Sequence, residues 1–386
     1  MTEFTFEALR RFPDVESREL VAVDATDRLV LDEAAELLSA TAPGSVAVLG
    51  DRHGAMTLGA VALHGARDLR VYSDQLSGEL ALLANAERAG LTGTFTVHGL
   101  DEVLTSETRL VLLQLPRSLE ALEEIAATIA RCAAPDVVVV AGGRIKHMSR
   151  TMNDVLARHL GTVDVRHARQ KSRVLIAHGP RSSEQDASAT RAGAAGSHAF
   201  PATERHDDLG LTVCAHGEAF AGTRIDVGTR FLLGFADRMA PTAVHAVDLG
   251  CGTGVLAVAL AMGRPDLQVT ATDDSWAAVI SARATAQANG VADRVHVTRD
   301  NAAAAMAPES ADLVVLNPPF HVGAAVHRGV AVKLFTAAAR ILRPGGELWA
   351  VWNSSLIYRP DLEKLVGPTR QAGRNPKFTV TVSTRG

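Results

Sequence analysis

The chain has 386 residues, of which 47% are hydrophobic and 21% are charged, a composition typical of a globular protein and not of a dominantly disordered one. At roughly 150 residues per domain, this length favours two domains over one. The formal net charge of −4 argues against a nonspecific polyanion binder, so any contact with nucleic acid needs a local basic patch.

The first residues of the chain, Met1 to Phe6, have neither a basic segment nor an apolar core. No uncharged apolar run approaches the ~20 residues that a membrane span requires. We therefore expect a cytoplasmic protein without membrane contact. The cysteines at 132, 214 and 251 are too few and too scattered for a disulfide framework or a Cys-based zinc site, so no metal is expected.

An internal repeat organises the chain, beginning with an apolar strand and turn at Val46–Gly54. A shift of 200 positions places this unit over Ala246–Gly254. Three further pairs of segments keep a similar register: Leu69–Asp74 with Leu267–Asp273, Ala84–Gly90 with Ala284–Gly290, and Leu110–Leu113 with Leu313–Leu316. The repeat predicts two similar domains related by duplication.

Both halves alternate strands rich in leucine and β-branched residues with alanine-rich helical stretches, such as Ala277–Asn289 and Ala331–Leu342. This alternation is typical of a mostly parallel, doubly wound α/β sheet. The predicted fold class is therefore α/β, with two tandem Rossmann-like domains. Because residues 181–203 are rich in Ser, Ala, Gly and Thr, we expect a domain at 1–185, a linker at 186–210 and a second domain at 211–386.

The first half differs from the second at its polar positions. Val48 stands where the second half has Asp248, Arg52 replaces Gly252, and Gln114–Arg117 replaces Asn317–Phe320. A valine cannot bind a polar ligand group, and an arginine side chain would fill the space that a glycine leaves open. We expect that the first domain neither catalyses a reaction nor binds a cofactor.

Basic residues accumulate late in the first half. They are Arg144, Lys146, Arg150, Arg169, Lys171 and Arg173. These residues are candidate contacts for nucleic-acid phosphates, and a solvent-exposed surface without a binding role is an equally weighted alternative.

The second half carries a glycine-rich turn directly after its first strand. Gly250, Gly252 and Gly254 allow a sharp turn and close approach of a ligand to the backbone, next to the positive end of the following helix. Their spacing differs from the Gly-x-Gly-x-x-Gly of dinucleotide folds. Asp248 precedes the turn and suits an amino-acid ammonium group.

Acidic residues continue at the ends of the next two strands. Asp273 lies where a carboxylate can accept hydrogen bonds from both hydroxyls of a ribose, with Asp274 as the substitute. Asp300 and Asn301 follow the next strand and are candidates for contact with an adenine amino group. Each of these residues has capping of a helix or turn as its alternative role.

The apolar strand Leu313–Leu316 runs into Asn317, Pro318, Pro319 and Phe320. The Asn317 side-chain oxygen and the Pro318 backbone oxygen can accept two N–H bonds from a planar amino group. The prolines fix φ and keep these acceptors aimed. Phe320 would stack on a base, a contact worth ~1–3 kcal/mol. This pattern indicates transfer of a group to an amino nitrogen.

The ordered set Asp248–Gly254, Asp273, Asp300 and Asn317–Phe320 resembles the successive motifs of class I S-adenosylmethionine-dependent methyltransferases. Together with the tandem arrangement and the segment Ile225–Leu233, it is similar to the bacterial ribosomal RNA guanine-N2 methyltransferases. In that family the N-terminal domain has lost catalysis and the C-terminal domain has kept it.

The resemblance implies S-adenosylmethionine as the cofactor, S-adenosylhomocysteine as its product, and a guanine N2 in ribosomal RNA or a ribosomal subunit as the acceptor. It places Asp226, Gly228 and Thr229 around the methionine end of the cofactor, with an N-cap of the following helix as a compatible alternative. The basic residues of the first half become candidate RNA contacts, and a monomer is expected.

Other functions share parts of this pattern. The tetrad Asn317–Phe320 resembles one that also serves methyltransferases acting on adenine N6 and on the glutamine amide of release factors, because all of these targets present a planar NH2 group. A nicotinamide-dependent oxidoreductase is disfavoured by the glycine spacing. A noncatalytic RNA-binding assembly factor is disfavoured by the presence of Asp248 and Asn317.

Overall fold

The structure is a computed structural model that describes residues 4–16, 20–180, 199–319 and 328–386. The chain divides into two compact units, Met1–Phe200 (unit 1) and Pro201–Gly386 (unit 2). No helix among the described residues combines the length and the apolar character needed to cross a membrane.

Unit 1 is built on a seven-stranded sheet of order β3-β2-β1-β4-β5-β7-β6. Its strands are β1 Val46–Leu49, β2 Leu69–Tyr72, β3 Phe95–Val97, β4 Leu110–Gln114, β5 Val138–Arg144, β6 Leu160–Val165 and β7 Ser172–Pro180. Its helices are α1 Ala25–Ala40, α2 Ala55–His64, α3 Leu76–Ala89, α4 Leu119–Cys132 and α5 Arg150–His159, with short 3-10 turns at Phe6–Ala8 and Ile145–His147.

Unit 2 opens with a two-stranded hairpin, β8 Ala202–His206 and β9 Leu211–Ala215. A second seven-stranded sheet follows, of order β12-β11-β10-β13-β14-β16-β15. Its strands are β10 His245–Leu249, β11 Gln268–Asp273, β12 Val295–Arg299, β13 Ala311–Leu316, β14 Leu342–Asn353, β15 Thr369–Arg374 and β16 Phe378–Thr384. The helices are α6 Val227–Leu233, α7 Val255–Gly263, α8 Trp276–Ala288, α9 Arg328–Ile341 and α10 Arg359–Leu365, with a 3-10 turn at Ala236–Arg238.

The central strands form because their apolar runs can be buried on both faces. All four residues of β1 and four of the five residues of β10 are buried, as expected for parallel strands covered by helices. Polar residues begin the helices: Asp24 forms a capping box at α1, and the Ser275 hydroxyl accepts from the Ala278 amide at α8 (3.1 Å). The cores of both units lie along these central strands.

The predicted α/β class is confirmed, and the sheets are mixed. The first five strands of each order pair in parallel, whereas β7 and β16 run antiparallel to both of their neighbours. The two sheets have the same strand order, and the origin of this likeness by duplication stays a prediction.

Strand register corrects one part of the sequence repeat. Val48 pairs with Val71, and Asp248 pairs with Ala271, so position 71 corresponds to position 271. Ser73 of unit 1 therefore corresponds to Asp273, whereas the sequence comparison had matched Asp74 to it. The offset between the units is 200 positions at both strands, so the two connections have equal length and Leu69 corresponds to Val269, not to Leu267.

The predicted linker at 186–210 was too long at its C-terminal end, because β8 lies within it. This strand is held by antiparallel pairing with β9, and β9 is in turn fixed to α8. The Thr212 amide donates to Asn289 Oδ1 (2.8 Å), and the Cys214 amide donates to Thr285 Oγ1 (3.0 Å). Residues 181–198 of the predicted linker region lie outside the described residues.

Candidate active site

The polar residues singled out in the second half meet at one edge of the unit 2 sheet. Strand β10 lies between β11 and β13, and Leu249 pairs with Thr272 while Asp248 pairs with Val315. The carboxyl ends of these parallel strands therefore bring the glycine turn, Asp273 and Asn317 together. Such an edge is where open α/β sheets bind ligands.

The glycine turn leaves room beside its backbone. Gly252 has a φ of +54°, and a Cβ placed on it would meet no atom within 4 Å. The same open space lies beside Gly250. The turn ends at Gly254, where a Cβ would lie only 2.9 Å from the Ala282 Cβ, so glycine permits close packing of α7 on α8. The turn, called the glycine cradle below, thus has open space beside Gly250 and Gly252 and packs tightly against α8 at Gly254.

Asp248 lies beneath this turn and is 1% exposed. Its Oδ2 accepts a hydrogen bond from the Ala257 amide (3.0 Å), and its Oδ1 is buried without a partner among the described residues. Burial raises the pKa of Asp248 to about 7; the Ala257 amide opposes this shift, and the Asp273 carboxylate adds to it. A buried oxygen without a donor fits the ammonium group of an amino-acid ligand.

Asp273 is oriented by the turn itself. Its Oδ2 accepts from the Gly252 amide and its Oδ1 accepts from the Ser275 amide, both at 2.9 Å. The carboxylate therefore lies against the cradle, as the predicted ribose contact requires. Asp274 is half-buried, and its backbone oxygen accepts from Arg299 Nε (3.3 Å).

Asp300 and Asn301 already have partners within the chain. The two carboxylate oxygens of Asp300 accept from the Ala304 and Ala305 amides at 2.8 and 3.0 Å. Asn301 Oδ1 accepts from the Lys333 ammonium group. The alternative of a turn cap is thus confirmed for Asp300, and its contact with adenine stays a prediction.

Asn317 is the residue whose geometry is most informative. Its Nδ2 donates to Asp226 Oδ2 (3.0 Å) and to Thr229 Oγ1 (3.1 Å). Because an ionised carboxylate only accepts hydrogen bonds, this contact fixes which end of the amide carries the NH2 group. Asn317 Oδ1 is buried and has no hydrogen-bond partner among the described residues.

The start of α6 is shaped for this contact. Asp226 is the N-cap of the helix, and its Oδ2 accepts from the Gly228 and Thr229 amides at 2.8 and 3.3 Å. A Cβ on Gly228 would lie 2.9 Å from Asp226 Oδ2 and 3.4 Å from Asn317 Oδ1. Glycine therefore lets the helix start approach Asn317. The predicted N-cap is confirmed.

The rest of the tetrad is described only in part. Pro318 is buried and Pro319 is exposed. Phe320, the predicted stacking residue, lies outside the described residues. The Cys251 thiol in the turn is buried, which together with the nearby Asp273 and Asp248 carboxylates raises its pKa. No group of three or more potential metal-ligating side chains is present in the described ranges.

One aromatic residue beside the site was missed by sequence reasoning. Trp276 begins α8 two residues after Asp274, and the Arg299 guanidinium lies 4.8 Å from the centre of its ring. The only sequence signal was a tryptophan close to two aspartates in a chain with 4% aromatic residues.

The corresponding edge of unit 1 is closed by a residue that the sequence analysis did not single out. Asp51 is buried, and its two oxygens accept from the Gly54 amide (2.9 Å) and the Thr57 amide (2.7 Å). Thr57 corresponds to Ala257, whose amide is bound by Asp248 in unit 2. Arg52 is exposed, so the predicted filling of the turn by its side chain is not observed, and the acceptor for the amides is Asp51.

The candidate RNA contacts fall into two groups. Arg144, Lys146 and Arg150 lie at the end of β5 and the start of α5, and the latter two are exposed. The others lie at the turn between β6 and β7. There, Arg169 forms ion pairs with Asp32 (3.5 Å) and Glu33 (3.4 Å) of α1. Lys171 is exposed and Arg173 is half-buried.

The fold and this site define the class of protein. A mixed α/β sheet with a glycine cradle, a buried acid below it and an acid beside it is the arrangement of an S-adenosylmethionine-dependent methyltransferase. A family model described as the methyltransferase small domain matches residues 210–382, and one described as the RLMG N-terminal domain matches residues 1–182.

Curated relatives identify the family more closely. The chain is 34% identical to ribosomal RNA large subunit methyltransferase G of Pseudomonas paraeruginosa, over 98% of this chain and 97% of the relative. It is also 34% identical to the protein of that name from Streptomyces coelicolor, over 96% of each. The chain belongs to the ribosomal RNA large subunit methyltransferase G family. The predicted recognition and the S-adenosylmethionine-dependent methyltransferase class are thereby confirmed.

Among solved structures, the fold is similar to that of a T. thermophilus 16S rRNA N2 guanine methyltransferase (RsmC) in complex with AdoMet and guanosine. The TM-score is 0.71 with 22% identity, and the match covers 92% of each chain. This likeness extends over both units and concerns the fold.

Proposed function

We propose that this protein transfers a methyl group from S-adenosylmethionine to the exocyclic N2 of a guanine in large-subunit ribosomal RNA. The observation that carries the proposal is Asn317 at the end of β13, whose amide nitrogen is engaged and whose buried oxygen has no partner among the described residues. An acceptor of this kind suits an N–H donor. The names of the relatives support ribosomal RNA of the large subunit as the substrate.

The cofactor site consists of residues that fit its separate parts. Asp248 offers a buried carboxylate oxygen to the ammonium group, Gly250 and Gly252 leave space along the backbone, and Asp273 lies at the ribose position. The rest of the predicted cofactor set is Asp226, Gly228, Thr229, Gly254, Asp274, Asp300, Asn301 and Asn317. The bound cofactor supplies an electrophilic methyl group whose carbon–sulfur bond breaks as the carbon–nitrogen bond forms.

The protein must make a weak nucleophile reactive. The lone pair of the guanine amine is delocalised into the ring, so the amine must be held in line with the methyl group. Asn317 Oδ1 and the Pro318 backbone oxygen accept its two N–H bonds, which favours the positive charge that grows on nitrogen during transfer. Pro319 makes the turn rigid, and stacking of Phe320 on the base stays a prediction from the sequence.

Unit 1 serves to position the RNA and does not bind cofactor. Val48 and Ser73 replace the two acids of the cofactor site, and Asp51 takes the amides of the turn. The exposed basic residues of this unit bind RNA phosphates. A target guanine within a helix must be extruded at a cost of a few kcal/mol, and binding to a second unit offsets part of that cost.

The direct test is methylation of large- and small-subunit ribosomal RNA, free and assembled, from cells that lack this protein. Mass mapping of the product nucleotides should find one N2-methylguanosine, in the large-subunit RNA. A methylated adenine N6, a methylated release factor or a product confined to the small subunit would contradict the proposal.

A further inference from the structure

We propose that Asp226 and Thr229 are positioning residues that hold the Asn317 amide in the one orientation that offers its oxygen to the substrate amine. This inference rests on the proposed function and adds a role for two residues of α6. The two contacts of Asn317 Nδ2, at 3.0 and 3.1 Å, use both of its N–H groups.

The orientation matters because the two ends of an asparagine amide have nearly the same shape and opposite polarity. If the amide were rotated by 180°, its NH2 group would face the NH2 group of the substrate and repel it. The rotated amide would also set its oxygen against the Asp226 carboxylate. With the observed contacts, only a hydrogen-bond donor is accepted at Asn317, which selects an amine over a ring carbonyl.

The two acceptors are themselves fixed. Asp226 is held by its own bonds to the Gly228 and Thr229 amides, so its carboxylate cannot turn away without loss of the helix cap. Thr229 lies in the first turn of α6, where a β-branched side chain has few rotamers. Gln114, which corresponds to Asn317 in unit 1, also has a side-chain oxygen that is buried without a partner among the described residues, so the difference between the two positions lies in the contacts that Asn317 makes with Asp226 and Thr229.

Two variants separate positioning from helix capping. Thr229→Val keeps the shape of the side chain and removes one acceptor. Asp226→Ser keeps an N-cap oxygen and is too short to reach Asn317 as well. We expect each to lower kcat about tenfold, since a hydrogen bond that orients Asn317 is lost, and to weaken S-adenosylmethionine binding by much less than this, while the melting temperature stays near that of the parent protein.

Thr229→Ser retains the hydroxyl and should retain kcat within about threefold, which a merely structural role of the methyl group would not predict. The inference is overturned if Thr229→Val and Asp226→Ser keep the parent kcat, or if cofactor binding weakens in proportion to the loss of kcat. Full activity of Asn317→Ala would instead reject the proposed role of Asn317 itself.

A second inference concerns the edge of unit 1, where we propose a binding site for RNA phosphate built from Arg52, Arg117, Arg144 and Lys146. Arg52 follows β1, Arg117 follows β4, and the other two lie at the end of β5. These three strands are neighbours, and Leu49, Leu113 and Ala141 are in register. The four cations therefore gather where unit 2 holds its cofactor cradle.

The electrostatics agree with this placement. The pKa of His147 is lowered by burial and then by the nearby cations Arg117, Lys146, Arg144 and Arg52, so all four act on one position. Among the described residues, no carboxylate lies within 4.0 Å of a charged nitrogen of Arg52, Arg117 or Lys146. Arg144 is 3.9 Å from Asp24.

Apart from the ion pair of Asp24 with Arg144, the nearby acids among the described residues are engaged elsewhere. Asp51 binds the backbone of its turn, and Asp24 and Asp27 cap α1. Burial and the carboxylates of Asp24 and Asp51 also raise the pKa of Asp27 well above its ordinary value. By contrast, Arg169 is neutralised by its contacts with α1, so the cluster after β1, β4 and β5 is the stronger candidate.

The test compares two double variants in binding to an unmodified transcript of large-subunit ribosomal RNA. We expect Arg52→Gln with Arg117→Gln to weaken binding and to reduce the slope of log K against log salt by about 2. Arg166→Gln with Arg169→Gln removes as many charges from the ion-paired surface and should change the slope less.

Equal slopes for the first pair and the parent protein, or a larger effect of the second pair, would overturn the phosphate site. The proposed function is measured separately, through methyl transfer by the parent protein and through the dissociation constant for S-adenosylmethionine. Absence of methylation by the parent protein would count against the function and not against this site.

Discussion

The carboxyl edges of the two sheets share one strand order and differ in their polar chemistry. In unit 2, Asp248 and Asp273 surround an open glycine turn, and one oxygen of Asp248 lacks a donor among the described residues. In unit 1, Val48 and Ser73 stand at those positions, and Asp51 binds the turn from within. One fold thus carries an open turn flanked by two acids in unit 2, and in unit 1 a turn whose acid, Asp51, is bound to backbone amides within the same segment.

The largest expected difference between the two edges is in cofactor binding, which should occur at unit 2 and be absent at unit 1. Because unit 1 lacks both acids and its turn amides are bound by Asp51, titration of the protein with S-adenosylmethionine in a calorimeter should give one site per chain. Asp248→Ala should abolish that site, whereas Val48→Ala should keep it. A stoichiometry of two would show that the unit 1 edge still binds cofactor.

Asn317→Ala should lower kcat by about 100- to 1000-fold, because an acceptor that favours the transition state is lost from a water-excluded site. The matched change in unit 1, Gln114→Ala, should leave methyl transfer unchanged. Single-turnover transfer to unmodified RNA gives the rate, and calorimetry checks that cofactor binding is retained. If Asn317→Ala kept nearly the activity of the parent protein, Asn317 after β13 would matter no more for methyl transfer than Gln114 at the end of β4.

Asp273→Asn should weaken S-adenosylmethionine binding by about 10- to 100-fold, since a hydrogen bond to a charged acceptor contributes ~1.5–3 kcal/mol. The substitution keeps the size of the side chain and one acceptor oxygen, which can still bind the Gly252 amide while the contact with the Ser275 amide is lost. Ser73→Ala at the corresponding position of unit 1 is the control and should have no effect. An unchanged dissociation constant for Asp273→Asn would reject its place at the ribose.

The smallest effect concerns pH. The pKa of Asp248 is raised from 3.8 to about 7 in the folded, cofactor-free protein, so between about pH 4 and pH 7 the folded state holds a proton that the unfolded state has lost. The free energy of unfolding should therefore fall as pH rises through this window and level off above it. Asp248→Asn should remove that part of the slope in urea titrations at pH 5 to 8.

The same carboxyl group links pH to ligand binding. An ammonium group stabilises the ionised form of Asp248, so S-adenosylmethionine should bind about tenfold more weakly at pH 6 than at pH 8. Val48, at the corresponding position of unit 1, has no titratable group, so it should contribute no pH dependence of binding. Binding that is independent of pH over this range would place the ammonium group away from Asp248.

Much of the site was predictable because its residues follow strand ends. The motif at Asp248–Gly254, the acid at 273 and the amide at 317 each come directly after an apolar run, and parallel strands bring their carboxyl ends to one edge. Asp51 was missed because its partners are backbone amides, which leave no sequence signal. The length of the linker was misjudged because β8 is polar and mostly exposed, so it lacks an apolar run.

The sequence alone determined the class of fold, the unequal chemistry of the two halves and the family, because hydrophobic periodicity and residue order depend only on neighbours along the chain. The tertiary structure alone decided the orientation of the Asn317 amide, since its partners at 226 and 229 lie 91 and 88 positions away. It also decided which arginines are neutralised, because an ion pair such as Arg169 with Glu33 spans 136 positions. Hydrogen-bond polarity and charge compensation are properties of three-dimensional contacts, and no local pattern encodes them.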